Sequence, residues 1–153
     1  MQNLEPYIVK NVFISVADNK LRLANIYFNN SISEIKYISD FIEWDDICTK
    51  EKRNGFINKF SLSEDKTRNT TINGEFNLLI PGAIDSHVHF NTPGFEQRED
   101  FQHASTAAAF GGVTTVVDMP CTSIPPITSV HNLEIKLDAL KSKSVVDYAL
   151  WGG

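Results

Sequence analysis

The chain has 153 residues, a length at which one sizeable core or two small ones can be buried. With 42% hydrophobic and 22% charged residues, its composition excludes a disordered or low-complexity chain. The net charge of −5 argues against a nucleic-acid partner, because neutralising phosphates needs a surplus of Lys and Arg on one face. No apolar run approaches the roughly 20 residues that cross a bilayer, so no membrane partner is expected either.

The cysteines and the first residues predict a cellular compartment. Cys48 and Cys121 are too few for a disulfide framework and lie in no metal-binding spacing. The opening MQNLEP is polar and lacks the basic and apolar regions of a secretion signal. These features predict a reducing, cytoplasmic location.

Short β-branched and aromatic runs separated by polar turns open the chain and predict antiparallel strands. They occupy residues 7–14, 21–28 and 33–38. A strand is also expected over 56–62, and a charged loop over 63–70.

Residues 39–55 have the pattern of a short amphipathic helix. Asp40 is a suitable N-cap with Glu43 three residues on. Phe41, Trp44 and Ile47 share one stripe, and Trp44 is interpreted as a core residue of this helix.

Strand and helix patterns alternate in the second half of the chain. The predicted segments are strand 76–90, helix 100–112, strand 112–120, helix 130–140 and strand 144–153. The second helix carries an apolar stripe of Val130, Leu133, Leu137 and Leu140. This order predicts a βαβαβ unit with parallel strands.

The chain ends at Gly152-Gly153, where a further loop and helix would follow the third strand. Three parallel strands leave one face and both edges of their sheet uncovered. We therefore expect an amino-terminal fragment of a larger protein.

A pair of histidines stands at the end of the first strand of this unit, in Asp85-Ser86-His87-Val88-His89. Strand alternation places His87 and His89 on the same side, with ring nitrogens close enough to share one metal ion. Neutral imidazole is a common zinc ligand. The spacing also occurs in surface pairs and in hydrogen-bonded core histidines, so by itself it leaves metal binding open.

The surrounding motifs carry a family resemblance. They are PGAIDSHVHFNTPG (81–94), then Glu99-Asp100, then AAAFGGVTTVVDMPCTSIPP (107–126). The ordered set resembles the cyclic amidohydrolases of the amidohydrolase superfamily, dihydroorotases and allantoinases in particular. The resemblance is specific over 76–153 and weak over 5–38, whereas 39–69 does not resemble the family and is interpreted as an insertion.

The resemblance implies an α/β fold. Residues 76–153 would form the first three strands of a (β/α)8 TIM barrel, truncated, and residues 1–75 part of a small β-sandwich with the helical insertion. Active sites of such barrels lie at the carboxyl ends of the strands. His87 and His89 match the family's first-strand metal ligands. The family's bridging lysine, its two later histidines and its proton-shuttle aspartate match no position here, so no catalytic residue is expected within this chain.

The resemblance also implies a function. It is that of a metal-dependent hydrolase that opens a small cyclic amide or ureide, with two zinc ions as cofactors. The full-length protein would be a homo-oligomer, and the isolated chain would be inactive. The alternative from another class is a non-catalytic truncated partner or binding module.

Two departures from the dihydroorotase pattern concern the substrate. That family holds the substrate's carboxylate with Arg two residues after the second histidine and Asn after the Met-Pro of the second strand. Here the expected substrate-binding residues at those places are Asn91 and Cys121, and neither is cationic. A neutral, allantoin-like ring is therefore predicted, and SIPP at 123–126 also resembles allantoinases. FEQRED at 95–100 resembles dihydroorotases, which remain the alternative.

Two aspartates lie near these positions. Asp85 is expected either to hydrogen-bond behind the metal ligands or to pack inside the barrel. Asp118 is expected either to line the site or to cap a turn. His103 and His131 fall in predicted helices without neighbouring ligands, and we expect them on the surface.

Overall fold

The structure is a computed structural model that describes residues 6–29, 31–58 and 70–153. The chain divides into two compact units, Met1–Ile80 and Pro81–Gly153. The first is built on a sheet and the second on alternating strands and helices, so the architecture is mixed α/β.

The first unit contains the three predicted antiparallel strands. They are β1 (Tyr7–Ala17), β2 (Lys20–Asn29) and β3 (Ser31–Tyr37), and β2 lies between the other two. The pairings confirm the antiparallel prediction. Phe13 and Leu23 are among the buried residues of this unit's core.

The predicted helix over 39–55 is wrong in its first half. Residues Ile42–Glu43 form a short strand, β4, which pairs with β2 so that Ile42 lies opposite Leu21. A 3₁₀ turn, Trp44–Asp46, follows. The cross-strand pairing overrides the local helical pattern, because it buries Ile42 in the core.

The helix begins later than predicted. Helix α1 spans Lys50–Ile57, and the hydroxyl of its N-cap, Thr49, accepts the backbone N–H of Lys52 at 3.3 Å. The strand predicted over 56–62 is therefore wrong at its start. Residues 59–62, and 63–69 of the predicted charged loop, lie outside the described residues. Strand β5 (Thr70–Asn73) then pairs in parallel with β1, which the sequence did not predict.

The second unit confirms the predicted strand and helix order. It contains β6 (Ala83–Val88), α2 (Phe101–Phe110), β7 (Val113–Asp118), α3 (Val130–Leu140) and β8 (Asp147–Leu150). The three strands are parallel, and β7 lies in the middle. A 3₁₀ turn, Pro120–Thr122, follows β7. The two helices cover the sheet through a core that includes Phe101, Val116 and Leu140.

The buried face of α3 differs from the predicted apolar stripe. Val130 and Leu137 are 73% and 41% exposed, whereas Lys136 and Leu140 are almost wholly buried. The helix is turned this way because Lys136 has a buried charged partner, described below. Of the helices in the described ranges, none has the length and apolar character that a membrane crossing requires.

Candidate functional site

The two histidines of the candidate site are neighbours at the carboxyl end of β6. His87 is the penultimate residue of the strand, and His89 is the first residue after it. Their ring centroids are 5.2 Å apart, with the ring planes at 70°. Both residues are exposed. Two accessible imidazoles so placed suit two ligand positions of one divalent cation.

Within the described parts of the chain, no group of three or more His, Cys, Asp or Glu side chains could hold a metal ion together. The donor set therefore fits a metal only in part. Zinc takes four ligands, and the histidine pair can supply two of them.

Cys121 lies beside the second histidine. It is exposed, it belongs to the 3₁₀ turn after β7, and its Sγ is 3.6 Å from Nδ1 of His89. The structure thus brings this predicted substrate-binding residue to the histidine pair, from a turn 32 residues further along the chain.

Asn91 contacts the backbone of the same histidine. Its side chain is only 9% exposed, and its Nδ2 donates a hydrogen bond to the carbonyl oxygen of His89 at 3.2 Å. The neighbouring Thr92 is fully buried, and its hydroxyl accepts the backbone N–H of Phe101 at 3.0 Å. These contacts fix the segment that follows His89 against helix α2.

Asp85 is exposed and lies on β6 with the first histidine. Its Oδ1 accepts the backbone N–H of His87 at 3.1 Å. Two roles were open for Asp85, a hydrogen bond behind the histidines or packing inside the barrel. The hydrogen bond to the backbone of His87 favours the first role, and within this unit the side chain is not buried.

Asp118 ends β7 and is fully buried. Its Oδ1 accepts the backbone N–H of Phe90 at 2.8 Å, and its Oδ2 accepts Nζ of Lys136 at 2.5 Å. Lys136, itself 0% exposed, also donates to the hydroxyl of Ser123 at 2.6 Å. Asp118 therefore binds the backbone of Phe90, the residue that follows His89.

Lys136 is a residue that sequence reasoning missed. It stands three residues after Leu133 and four before Leu140, so it occupies the buried face of α3. A lysine at that position of an apolar stripe was the available signal, because a buried ammonium needs a partner.

Trp151 is a second residue that sequence reasoning missed. It follows β8, and its backbone N–H donates to the carbonyl of Asp118 at 2.9 Å. Its indole N–H donates to the carbonyl of Ser86 at 3.3 Å, and the side chain stays half exposed. An aromatic residue directly after a strand of this sheet was the signal. Trp151 thus contacts β6 through its indole and the end of β7 through its backbone.

His103 and His131 lie on the surface, as predicted. His103 contacts Asp100, the N-cap of α2, through both its backbone N–H and its ring, each at 2.8 Å. Mainly through that backbone hydrogen bond, and then through the ring, His103 lowers the pKa of Asp100 below 3.8. Neither His103 nor His131 joins the pair of His87 and His89.

The second unit is similar to proteins of known family. Residues 78–153 match the model of the amidohydrolase family. The allantoinase of Streptomyces avermitilis is 50% identical over 76 residues, which are 50% of this chain and 17% of that protein. The mitochondrial allantoinase of Aquarana catesbeiana is 50% identical over 76 residues, covering 50% of this chain and 16% of its own length.

A solved structure is also similar. The L-hydantoinase (dihydropyrimidinase) from Arthrobacter aurescens superposes with a TM-score of 0.71 at 25% identity, covering 98% of this chain and 28% of that one. The chain thus spans less than a third of the length of each of these relatives. Through its residues 78–153, the chain belongs to the amidohydrolase family.

Proposed function

We propose that this chain carries the first metal-binding strand of an enzyme that hydrolyses a cyclic amide or ureide, of the allantoinase type. The observation that carries the proposal is the exposed pair of His87 and His89, 5.2 Å apart at the carboxyl end of a parallel strand. On this proposal, β6, β7 and β8 are the first three strands of a (β/α)8 barrel. Residues 1–75 are then the flanking β-sandwich, with an insertion near 39–69.

The proposed cofactor is a divalent metal, with two zinc ions in the whole enzyme. When bound, such an ion polarises a carbonyl oxygen and activates water. His87 and His89 would hold it as neutral imidazoles. Asp85 and Asn91 hold the backbone of these two histidines by hydrogen bonds of 3.1 and 3.2 Å, which supports ligands fixed before the metal arrives.

The proposed substrate is an uncharged ring. Asn91 and Cys121 are neutral where a bound carboxylate would need a cation, and a bidentate arginine is the strongest partner for it. The cation of Lys136 is buried and already paired with Asp118, so it is not available to a substrate. Leaving a buried carboxylate uncompensated costs several kcal/mol, or about a thousandfold in binding. Dihydroorotate is therefore the disfavoured alternative.

Assembly and location complete the proposal. We propose a homo-oligomer in the whole enzyme, with a small cyclic ureide as its binding partner. A cytoplasmic location is supported by Cys48 and Cys121, both free and exposed. The relative from Aquarana catesbeiana is named mitochondrial, so the compartment is not shared by all relatives.

The metal part of the proposal can be tested on the chain itself by titration calorimetry with zinc. We expect weak binding, because two imidazoles supply only part of a zinc site. His87→Ala and His89→Ala should each abolish it, whereas the surface control His103→Ala should leave it unchanged. Retention of two zinc ions per chain through dialysis would contradict the proposal, as would zinc binding that survives both histidine substitutions.

A further inference from the structure

The buried ion pair of Asp118 and Lys136 connects three segments of the second unit. Asp118 ends β7, Lys136 lies on α3, and Ser123 lies in the loop between them. Both charged side chains are 0% exposed. Burial of two charges is costly unless their hydrogen bonds are completed, and here every oxygen of the carboxylate has a donor.

The Asp118 side of this ion pair contacts the residue that follows His89. Asp118 Oδ1 accepts the backbone N–H of Phe90, the residue next to His89, at 2.8 Å. Its other oxygen is held by Lys136 at 2.5 Å. Because the ammonium fixes Oδ2, Oδ1 is directed at Phe90.

A second end of the network reaches the other side of the same histidine. Lys136 donates to Oγ of Ser123 at 2.6 Å. Two residues before that serine is Cys121, whose Sγ is 3.6 Å from Nδ1 of His89. A single ammonium therefore holds both segments that flank His89.

We propose that Lys136 is a positioning residue for His89, acting through Asp118 on one side and Ser123 on the other. This inference rests on the proposed role of His87 and His89 as metal ligands. A ligand held in place before binding loses less conformational freedom when the metal arrives, so removing its support weakens metal affinity.

The test compares zinc affinity with the hydrogen exchange of the Phe90 amide. Lys136→Met removes the ammonium and keeps most of the side-chain length. It should weaken zinc binding by about tenfold or more and accelerate exchange at Phe90. All measurements are made where circular dichroism shows each variant to be folded.

A double variant separates positioning from stability. Asp118→Asn combined with Lys136→Met removes both charges but keeps a carbonyl oxygen for the Phe90 N–H. It should slow exchange at Phe90 again and recover part of the zinc affinity, because the contact of Lys136 with Ser123 is still absent. Unchanged zinc affinity in folded Lys136→Met would overturn the inference, and so would a double variant as weak as the single one.

Ser123→Ala decides the case in which Lys136→Met does not fold, because it leaves the Asp118–Lys136 pair intact. This variant should change the alkylation rate of the Cys121 thiol and weaken zinc binding. The inference is overturned if either the alkylation rate or the zinc affinity stays the same. The outcome for His89→Ala separates the two proposals. If His89→Ala binds zinc normally, the proposed metal site is wrong. If His89→Ala loses zinc but the Lys136 variant binds it normally, only the positioning role of Lys136 is wrong.

Discussion

Asn91 is the proposed substrate-binding residue whose lack of charge underlies the prediction of a neutral ring. It lies two residues after His89 and donates to that residue's carbonyl oxygen. An amide at this place can bind a neutral ring but cannot neutralise an anion.

A charge introduced at this position should change substrate preference. We suggest a hybrid in which residues 78–153 replace the matching segment of the Streptomyces avermitilis allantoinase. In it, Asn91→Arg should raise the ratio of kcat/KM for dihydroorotate over allantoin by about tenfold or more, since a bidentate cation stabilises a carboxylate. Asn91→Leu removes the same amide hydrogen bond without adding charge and should leave the ratio unchanged. An equal shift in both variants would show that charge is not the cause.

Single residues differ in how far the sequence predicts their place. The positions of His87 and His89 follow from strand alternation, a local property, and their rings are neighbours as expected. The pairing of Lys136 with Asp118 joins residues 18 positions apart on different elements. It depends on how α3 rotates over the sheet, which the apolar pattern alone predicted incorrectly.

At the scale of elements, the start of α2 is stabilised by its N-cap. The carboxylate of Asp100 accepts the backbone N–H of His103 and contacts its ring, and the pKa of Asp100 lies below 3.8 as a result. A carboxyl group whose pKa is lower in the folded state stabilises that state above its unfolded pKa. This stabilisation is lost as the pH falls through the folded pKa.

Asp100→Asn should expose this dependence, because Asn keeps the capping oxygen but does not titrate. The wild-type chain should be more stable than the variant above pH 3.8, and the difference should shrink as the pH falls below that value. Urea unfolding of both proteins across this range measures it. A difference that is constant with pH, or that grows in acid, would contradict the cap's role.

The junction between β6 and β7 depends on a glycine. A Cβ at Gly82 would lie 2.8 Å from Cβ of Thr114 and 2.5 Å from its hydroxyl oxygen, closer than side-chain atoms approach. Gly82→Ala should destabilise the chain by about 1–3 kcal/mol, and adding Thr114→Gly should recover part of the loss.

Gly55 is the matched control for this substitution, since nothing lies within 4 Å of a Cβ built there, inside helix α1. Gly55→Ala should stabilise the chain by about 0.5–1 kcal/mol. Urea unfolding measures both effects, and a loss of the same size at Gly55 would show that the contact with Thr114 is not the cause.

Elements were predictable where one local pattern governs them. The alternating strands and helices after residue 81 are of this kind, and they form the predicted parallel sheet. The structure of residues 42–47 was not predictable in this way. It depends on the pairing of Ile42 with Leu21, which exists only in the folded sheet.

At the scale of the whole molecule, the chain joins a β-sheet unit to a βαβαβ unit whose strand ends carry the histidine pair. The family resemblance of the second unit was predictable, because its motifs are contiguous in the sequence, and the match over 78–153 confirms it. The parallel pairing of β5 with β1 was not predictable, since it joins segments about 60 residues apart with no local signal for register.

Turnover of allantoin and dihydroorotate by the hybrid allantoinase that carries residues 78–153 tests the proposed activity most directly. We expect the hybrid to hydrolyse allantoin, and we expect His87→Ala to abolish this activity and His131→Ala to leave it intact. We also expect a higher kcat/KM for allantoin than for dihydroorotate. Turnover that survives His87→Ala would show that this histidine is not a metal ligand of the active enzyme. A preference for dihydroorotate of about tenfold, roughly 1.4 kcal/mol of transition-state discrimination, would show that the ring is not neutral.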